Sequence, residues 1–411
     1  MQTAATQASG TSSLEELSRS PSLSIIVLVD SLIREATELR ASDIHIDPMA
    51  DGLVVRLRID GMLQDKFRFD KKIYSEIITR IKILSALRTD EHQAAQDGRF
   101  RALLEDGTPI DVRVSITPTY HGENAVLRLL ADQSADYTLD SLGFSKENQE
   151  KLIAAIKRPH GMILATGPTG SGKTTTLYTL LKMLNQKTVS IITIEDPVEY
   201  AVSGITQIQI NPRAGLTFGS GLRSILRQDP NIIMVGEIRD AETAAIAVNT
   251  ALTGHLILST LHTNDSATTL PRLLDMGVDP YLVASTVNVA IGQRLVRKIC
   301  NACKEEYTLS EAERQSLGGV LLPGQTESNI KFFRGKGCEE CEGTGYAGRL
   351  GIHEVMVIDQ EIREAILKKA SAANIKEIAR KNGMLPMFAD GILKAEAGQT
   401  TIEEVLRTIN E

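Results

Sequence analysis

Residues 163–174 read Ile-Leu-Ala-Thr-Gly-Pro-Thr-Gly-Ser-Gly-Lys-Thr, a short apolar run ending in Gly167, four further residues, Gly172, Lys173 and Thr174. This pattern constrains the chain more than any other. Glycines let successive backbone N–H groups turn into one concavity around a phosphate, a lysine reaches the outer phosphate oxygens, and a threonine hydroxyl can serve Mg²⁺. Residues 162–165 read as a buried strand and 174–184 as the helix after it, the strand–loop–helix context that such a loop requires. Gly167, Pro168, Thr169, Gly170, Ser171, Gly172, Lys173, Thr174 and Thr175 are therefore the expected nucleotide-binding residues, with Thr174 on Mg²⁺.

Around this loop, helical patterns alternate with apolar strands at 163–165, 190–194, 232–235 and 256–260, which predicts a parallel sheet with its sites at the strand carboxyl ends. The chemistry-bearing residues fall there. Strand 190–194 runs into Glu195-Asp196-Pro197, read as an acidic metal or water shell against the plainer alternative of a solvated loop. Strand 232–235 ends in Gly236-Glu237, and looks like a Walker B strand. Many nucleotide-hydrolysing proteins place an Asp where this chain has Gly236, so Glu237 is expected to orient and polarise the attacking water. His255 and His262 flank the fourth strand. His262, at its polar end, is the candidate nucleotide contact, whereas His255 is equally well read as a hydrogen-bonded core residue. Arginines from outside the loop would neutralise phosphoryl charge: the candidates are Arg99, Arg113, Arg223 and Arg227, with surface ion pairing as the alternative for each taken alone.

At 411 residues the chain is long enough for two to four domains. Residues 1–21 are polar and lack a signal peptide's apolar core, so a flexible leader in a cytoplasmic protein is expected. Residues 22–130 pass from helical to period-two spacing and back, with Asp60-Gly61 and Asp106-Gly107 as turns, which predicts an α+β domain. A linker is expected at 131–140, the α/β nucleotide core at 141–296, a cysteine-bearing subdomain at 297–348 and a helical region at 349–411. No apolar run is long enough to span a membrane. Net charge −7, pI about 5.7 and the absence of Trp argue against nucleic acid as a direct partner. The four cysteines form two pairs, Cys300-x-x-Cys303 and Cys338-x-x-Cys341, spacing that suits a tetrathiolate Zn²⁺ site better than disulfides or a redox dithiol.

Taken together, Gly-Pro-Thr-Gly-Ser-Gly-Lys-Thr, Glu-Asp-Pro-Val-Glu-Tyr, Met-Val-Gly-Glu-Ile-Arg-Asp and Thr-Gly-His-Leu-Ile-Leu-Ser-Thr-Leu-His-Thr resemble the Walker A, Asp-box, Walker B and His-box segments of the secretion ATPase superfamily, in that order. The tetracysteine element and Ser42-Asp43-Ile44-His45 point to its type IV pilus assembly and type II secretion branch; retraction ATPases lack the cysteines. The resemblance implies a RecA-like P-loop core behind a PAS-like first domain, and a hexameric Mg²⁺-dependent ATPase acting with ATP/ADP and Zn²⁺. It further implies a motor on the cytoplasmic side of the inner membrane that turns a platform protein and so extrudes pilin subunits; type II secretion or DNA uptake through pseudopilins uses the same core. By the same resemblance Glu237 is the catalytic carboxylate, Glu195 a metal-shell acid, His262 the His-box contact, and Arg99 and Arg113 fingers from the first domain. Family members usually carry a further N-terminal domain, whereas only about 20 polar residues precede Ser22 here, so a truncated or naturally short member is expected. A DNA-translocating motor and a non-hydrolysing scaffold are the rival readings.

Overall fold

The computed structural model describes residues 14, 24–104, 106–131, 137–308 and 331–410, and the chain divides into two compact units at Ala135/Asp136. The first unit opens with helix α1 (Ile25–Glu38), whose N-cap Ser24 accepts a hydrogen bond from the Val27 amide. Helical spacing puts Leu28, Val29, Leu32, Ile33 and Ala36 on one buried side. Strands β1 (Ala41–Pro48), β2 (Gly52–Ile59), β3 (Met62–Asp70), β4 (Gln96–Leu103), β5 (Pro109–Thr119) and β6 (Gly122–Ala131) form one sheet in the order β3-β2-β1-β6-β5-β4, every adjacent pair antiparallel. Helix α2 (Tyr74–Leu84) lies between β3 and β4 in sequence. Asp60-Gly61 joins β2 to β3, and Asp106-Gly107 lies in the turn from β4 to β5, where the sequence places them. Strict alternation in β5 buries Ile110, Val112, Val114 and Ile116 in the core that α1 and α2 share. Leu14 is buried in that same core; the rest of the expected leader, and residues 132–136 of the expected linker, lie outside the described residues.

The second unit contains helix α3 (Lys146–Ile156), strand β7 (Gly161–Thr166), helix α4 (Lys173–Leu184), strands β8 (Ile191–Glu195) and β9 (Thr206–Gln209), helix α5 (Phe218–Ile225), strand β10 (Ile232–Val235), helix α6 (Ala241–Leu252), strand β11 (Leu256–Leu261), helices α7 (Thr269–Asp275) and α8 (Pro280–Thr286), and strand β12 (Val287–Ile299). A two-stranded ribbon, β13 (Lys304–Tyr307) and β14 (Phe332–Gly335), precedes β15 (Tyr346–Val357) and helices α9 (Gln360–Leu367), α10 (Ala372–Lys381), α11 (Met387–Glu396) and α12 (Ile402–Asn410). The main sheet runs β15-β12-β7-β11-β10-β8-β9. All four expected strands are in it, and β7, β8, β10 and β11 are buried throughout. The sheet is not wholly parallel. Strand β15 pairs antiparallel with β12. Because β12 crosses position 296 and β15 crosses position 348, the cysteine segment and the region after it share strands with the nucleotide core. Apolar side chains from both sheet faces, Met162, Leu164, Ile233 and Val235 on one and Ile163, Ala165, Met234 and Leu258 on the other, fill two separate cores. No described helix is long and apolar enough to cross a membrane.

Candidate functional site

Strand β7 delivers residues 167–172 to the middle of the sheet, between β12 and β11. Gly167 has φ +144°, and a Cβ there would lie 2.4 Å from the Gln293 carbonyl oxygen, so this position admits only glycine. Helix α4 begins directly at Lys173, leaving its first amides and its positive end directed at the loop. Lys173 Nζ donates to the carbonyl oxygens of Gly167 and Pro168, both at 2.9 Å. Burial brings its ammonium down to about 8; Glu237 opposes the shift and Arg294 adds to it. Thr174 and Thr175 sit half-buried in the same first turn. Gln293, on β12, donates from Nε2 to the Ser171 carbonyl at 2.7 Å and so braces the loop from the neighbouring strand.

Two strands from β7, β10 ends in Gly236 and Glu237. A Cβ at 236 would meet the Glu195 Cα and the Ile194 carbonyl oxygen at 3.3 Å, which leaves little room for the aspartate that sequence comparison with other nucleotide-hydrolysing chains would expect there. Glu237 is 8% exposed, and its Oε2 lies 2.6 Å from Arg239 Nε and 3.0 Å from His262 Nε2. The turn is held from β11: Thr260 Oγ1 donates to the Gly236 carbonyl at 2.7 Å and the Ile238 amide donates to the Thr260 carbonyl at 3.0 Å. Thr166, the last residue before the loop, donates from Oγ1 to the Thr263 carbonyl at 2.8 Å and accepts from the Thr263 amide at 3.0 Å. The loop, the Glu237 turn and the His262 segment thus form one hydrogen-bonded unit.

Glu195 is placed differently from an open acid. Strand β8 lies three strands from β7, about 14 Å at ordinary strand spacing. Its carboxylate is 2% exposed and engaged on both oxygens, by Thr193 Oγ1 at 2.6 Å and Gln207 Nε2 at 3.3 Å on one and by the Tyr178 hydroxyl on the other. Burial pushes its pKa up despite these donors. His255 is half-buried with Nδ1 3.2 Å from the Thr250 carbonyl, a helix-end contact. Arg223 pairs with Glu242 at 2.6 Å, and Arg227 donates to the Arg223 carbonyl and Ser224 Oγ; neither bonds to residues 167–175.

In the first unit, Arg99 stands directly opposite Arg113, Arg113 opposite Arg128, Arg128 opposite Asp43, and Asp43 opposite Arg58. Like charges in direct cross-strand register repel. Asp43 breaks this row of four arginines, at 3.0 Å from Arg128 and 3.7 Å from Arg58.

The four cysteine sulfurs lie within 4.8 Å of one another, with Cys300–Cys338 and Cys303–Cys341 at 3.8 Å and Cys338–Cys341 at 3.7 Å. These separations are far too long for disulfides. They match the edge of a tetrathiolate zinc tetrahedron, about 3.8 Å for Zn–S bonds of about 2.3 Å. Burial pushes the Cys300 thiol up and the Cys303 thiol up to about 12, whereas at Cys341 the amides of Cys338 and Gly345 outweigh it and bring the thiol down to about 7.

A family model described as "Type II/IV secretion system protein" matches residues 19–407. The chain belongs to this family. It is 47% identical over its whole length to type II secretion system protein E of Xanthomonas campestris pv. campestris, covering 72% of that protein, and 47% identical over 93% of its length to the type IV pilus assembly ATPase PilB of Thermus thermophilus, covering 42% of it. Among solved structures, the pilus retraction motor PilT with bound ADP is similar over 92% of this chain and 96% of that one, at 25% identity and a TM-score of 0.62. The ATPase DotB of Legionella pneumophila, at 22% identity and a TM-score of 0.69 over 94% of this chain and 96% of that one, shares the fold. The chain is thus a secretion ATPase of the type II secretion and type IV pilus assembly kind.

Several residues of this secretion ATPase site escape sequence reasoning. Arg239 lies two residues beyond Glu237 and was legible as a neighbour, but nothing in the sequence says that its guanidinium turns back to the carboxylate. Gln293 and Arg294 did carry a signal: a polar pair just beyond the buried apolar run Val289–Ile291. In the separate first unit, the alignment of Arg128 with Arg113 becomes visible only once the strand register is known.

Proposed function

We propose that the chain is a hexameric, Mg²⁺-dependent motor ATPase on the cytoplasmic side of the inner membrane, driving type II secretion through a membrane platform protein. The observation that carries the reading is the pairing of Glu237 with His262 and Arg239 on the strand ends beside the Lys173 loop. Residues 167–172 and the first amides of α4 bind the phosphates, and Lys173 leaves its loop carbonyls for the outer phosphate oxygens. Thr174 would hold Mg²⁺, which neutralises phosphate charge when bound. Glu237 orients and polarises the attacking water, with His262 and Arg239 fixing its carboxylate. Glu195, bound on both oxygens, acts as an anchor between β8 and α4. Arg99 and Arg113 supply positive charge to the leaving phosphate, with Arg223 and Arg227 as reserve phosphate contacts. Cys300, Cys303, Cys338 and Cys341 would hold one structural Zn²⁺.

The match to a type II secretion protein over the whole of this chain and 72% of that protein, against 42% of the pilus assembly ATPase, favours that process over pilus assembly, the reading that sequence reasoning put first. Pilus assembly or a DNA-uptake pseudopilus remains the second reading, because the same core serves each. Phosphate release by wild-type protein should require Mg²⁺, track a hexamer sized by light scattering, and fall at least about 100-fold in Glu237→Gln. Undiminished turnover in that variant would overturn the catalytic assignment.

A further inference from the structure

The segment after β11 reaches in two directions. At one end His262 faces Glu237 at 3.0 Å, and Thr263 is bonded to Thr166 at the base of the phosphate loop. At the other end Asp265 and Ser266 are bonded to β15 and α10 of the C-terminal layer, and through Glu354 to α11. Glu354 on β15 is 1% exposed, yet its Oε1 accepts from both the amide and the hydroxyl of Ser266 at 2.7 Å, and its Oε2 accepts from the Met387 amide at 3.2 Å, in the first turn of α11. Lys376 on α10 donates from Nζ to Asp265 Oδ2 at 2.8 Å. Asp265 in turn accepts from the Thr268 amide at 2.9 Å, which fixes the turn into α7, and its carbonyl accepts from Thr263 Oγ1 at 3.2 Å.

A buried carboxylate survives in a protein interior only when its oxygens are bonded, and the donors here come from segments far apart in sequence. From this joining we infer that Glu354 and Lys376 are positioning residues for ATP turnover: they hold residues 262–266 so that His262 meets Glu237, and they tie that contact to α10 and α11. The proposal rests on the ATPase reading above. A small displacement of α10 or α11 then moves the His262 segment, since packed elements of this kind have discrete arrangements rather than continuous ones. Any load borne by the C-terminal helices would reach the hydrolytic carboxylate through these two side chains.

Lys376 is more than one-third exposed, so Lys376→Met removes the ion pair without opening the core. In Glu354→Gln one oxygen still accepts from Ser266, but an amide N–H₂ meets the Met387 amide, donor against donor. Both variants of the full chain are expected to lose about tenfold in kcat with KM for ATP within about twofold, the signature of an interaction made at the hydrolytic step rather than in binding. Lys376→Arg, which can keep the pair, should recover most of the rate. Hydrogen exchange should quicken at amides 262–266 in both damaged variants and stay unchanged at 167–174. Wild-type kcat in Lys376→Met, or a KM rise matching the kcat loss, would overturn the inference. If the wild-type chain hydrolyses no ATP, the ATPase reading fails on its own; exchange unchanged at 262–266 would then overturn the positioning role, and local deprotection would uphold the mechanical link.

Discussion

Glu237 Oε2 is shared between Arg239 Nε at 2.6 Å and His262 Nε2 at 3.0 Å, so two side chains from different strand ends fix one carboxylate oxygen and leave the other for a reacting water. Removing either partner loosens the orientation of the base without touching the phosphate loop. Arg239→Ala and His262→Ala should each lower kcat by about tenfold or more while KM changes little. Initial rates at saturating and limiting ATP check this. Equal losses of affinity and rate would mean that these side chains bind nucleotide directly.

Lys173 carries a signed pH prediction. Burial sets its free pKa at about 8, well below that of an exposed lysine. Phosphate oxygens favour the ammonium form, so nucleotide binding must raise the pKa and take up a proton between the free and bound values. Affinity should therefore be flat below about pH 7 and weaken by up to about tenfold per pH unit above pH 8. Calorimetry at pH 8.5 in two buffers of different ionisation enthalpy should register the proton uptake. Affinity that stays constant from pH 7 to 9.5 would contradict the buried, depressed lysine.

The arginine row of the first unit calls for a test aimed at turnover. Arg99, Arg113 and Arg128 stand in consecutive cross-strand register, with Arg128 paired to Asp43 at 3.0 Å. Arg113→Ala is expected to reduce kcat by about 100-fold with little change in nucleotide affinity, because charge develops on the phosphoryl oxygens only as the bond breaks. Fluorescent-nucleotide binding beside steady-state rates separates the two effects. A large loss of binding with normal saturated turnover would remove the finger role from Arg113.

How legible the chain was depends on where each signal resides. The loop at 167–174 and the strands at 190–194 and 232–235 declare themselves, since glycine spacing and unbroken apolar runs are local properties. Strand β12 is harder to read: Gly292, Gln293 and Arg294 break its apolar run, where Gln293 braces the loop and the strand pairs with β15. Glu195 was legible as a carboxylate at a strand end. Its engagement was not, because Tyr178 and Gln207 stand 17 and 12 residues away in sequence and meet it only through the sheet. The bonds from Glu354 to Ser266 and from Lys376 to Asp265 span 88 and 111 residues, beyond the reach of any periodicity.

The cysteine cluster supplies the last prediction. Four thiols whose sulfurs all lie within 4.8 Å of one another are costly without a cation to bind them as thiolates. The cluster also fixes the end of β12, where the Cys300 amide donates to the Gly345 carbonyl at 2.9 Å. Purified protein should contain one zinc per chain. Cys338→Ser or a strong chelator should lower Tm by several degrees, because structural zinc contributes folding energy directly. Below that transition, phosphate release per folded chain should stay within about twofold of wild type, since Lys173 and Glu237 draw their contacts from β7, β10 and β11 rather than from the cluster. Identical melting with and without chelator would remove the metal from the structure, and a collapse of turnover at unchanged Tm would place the cluster in the hydrolytic cycle instead.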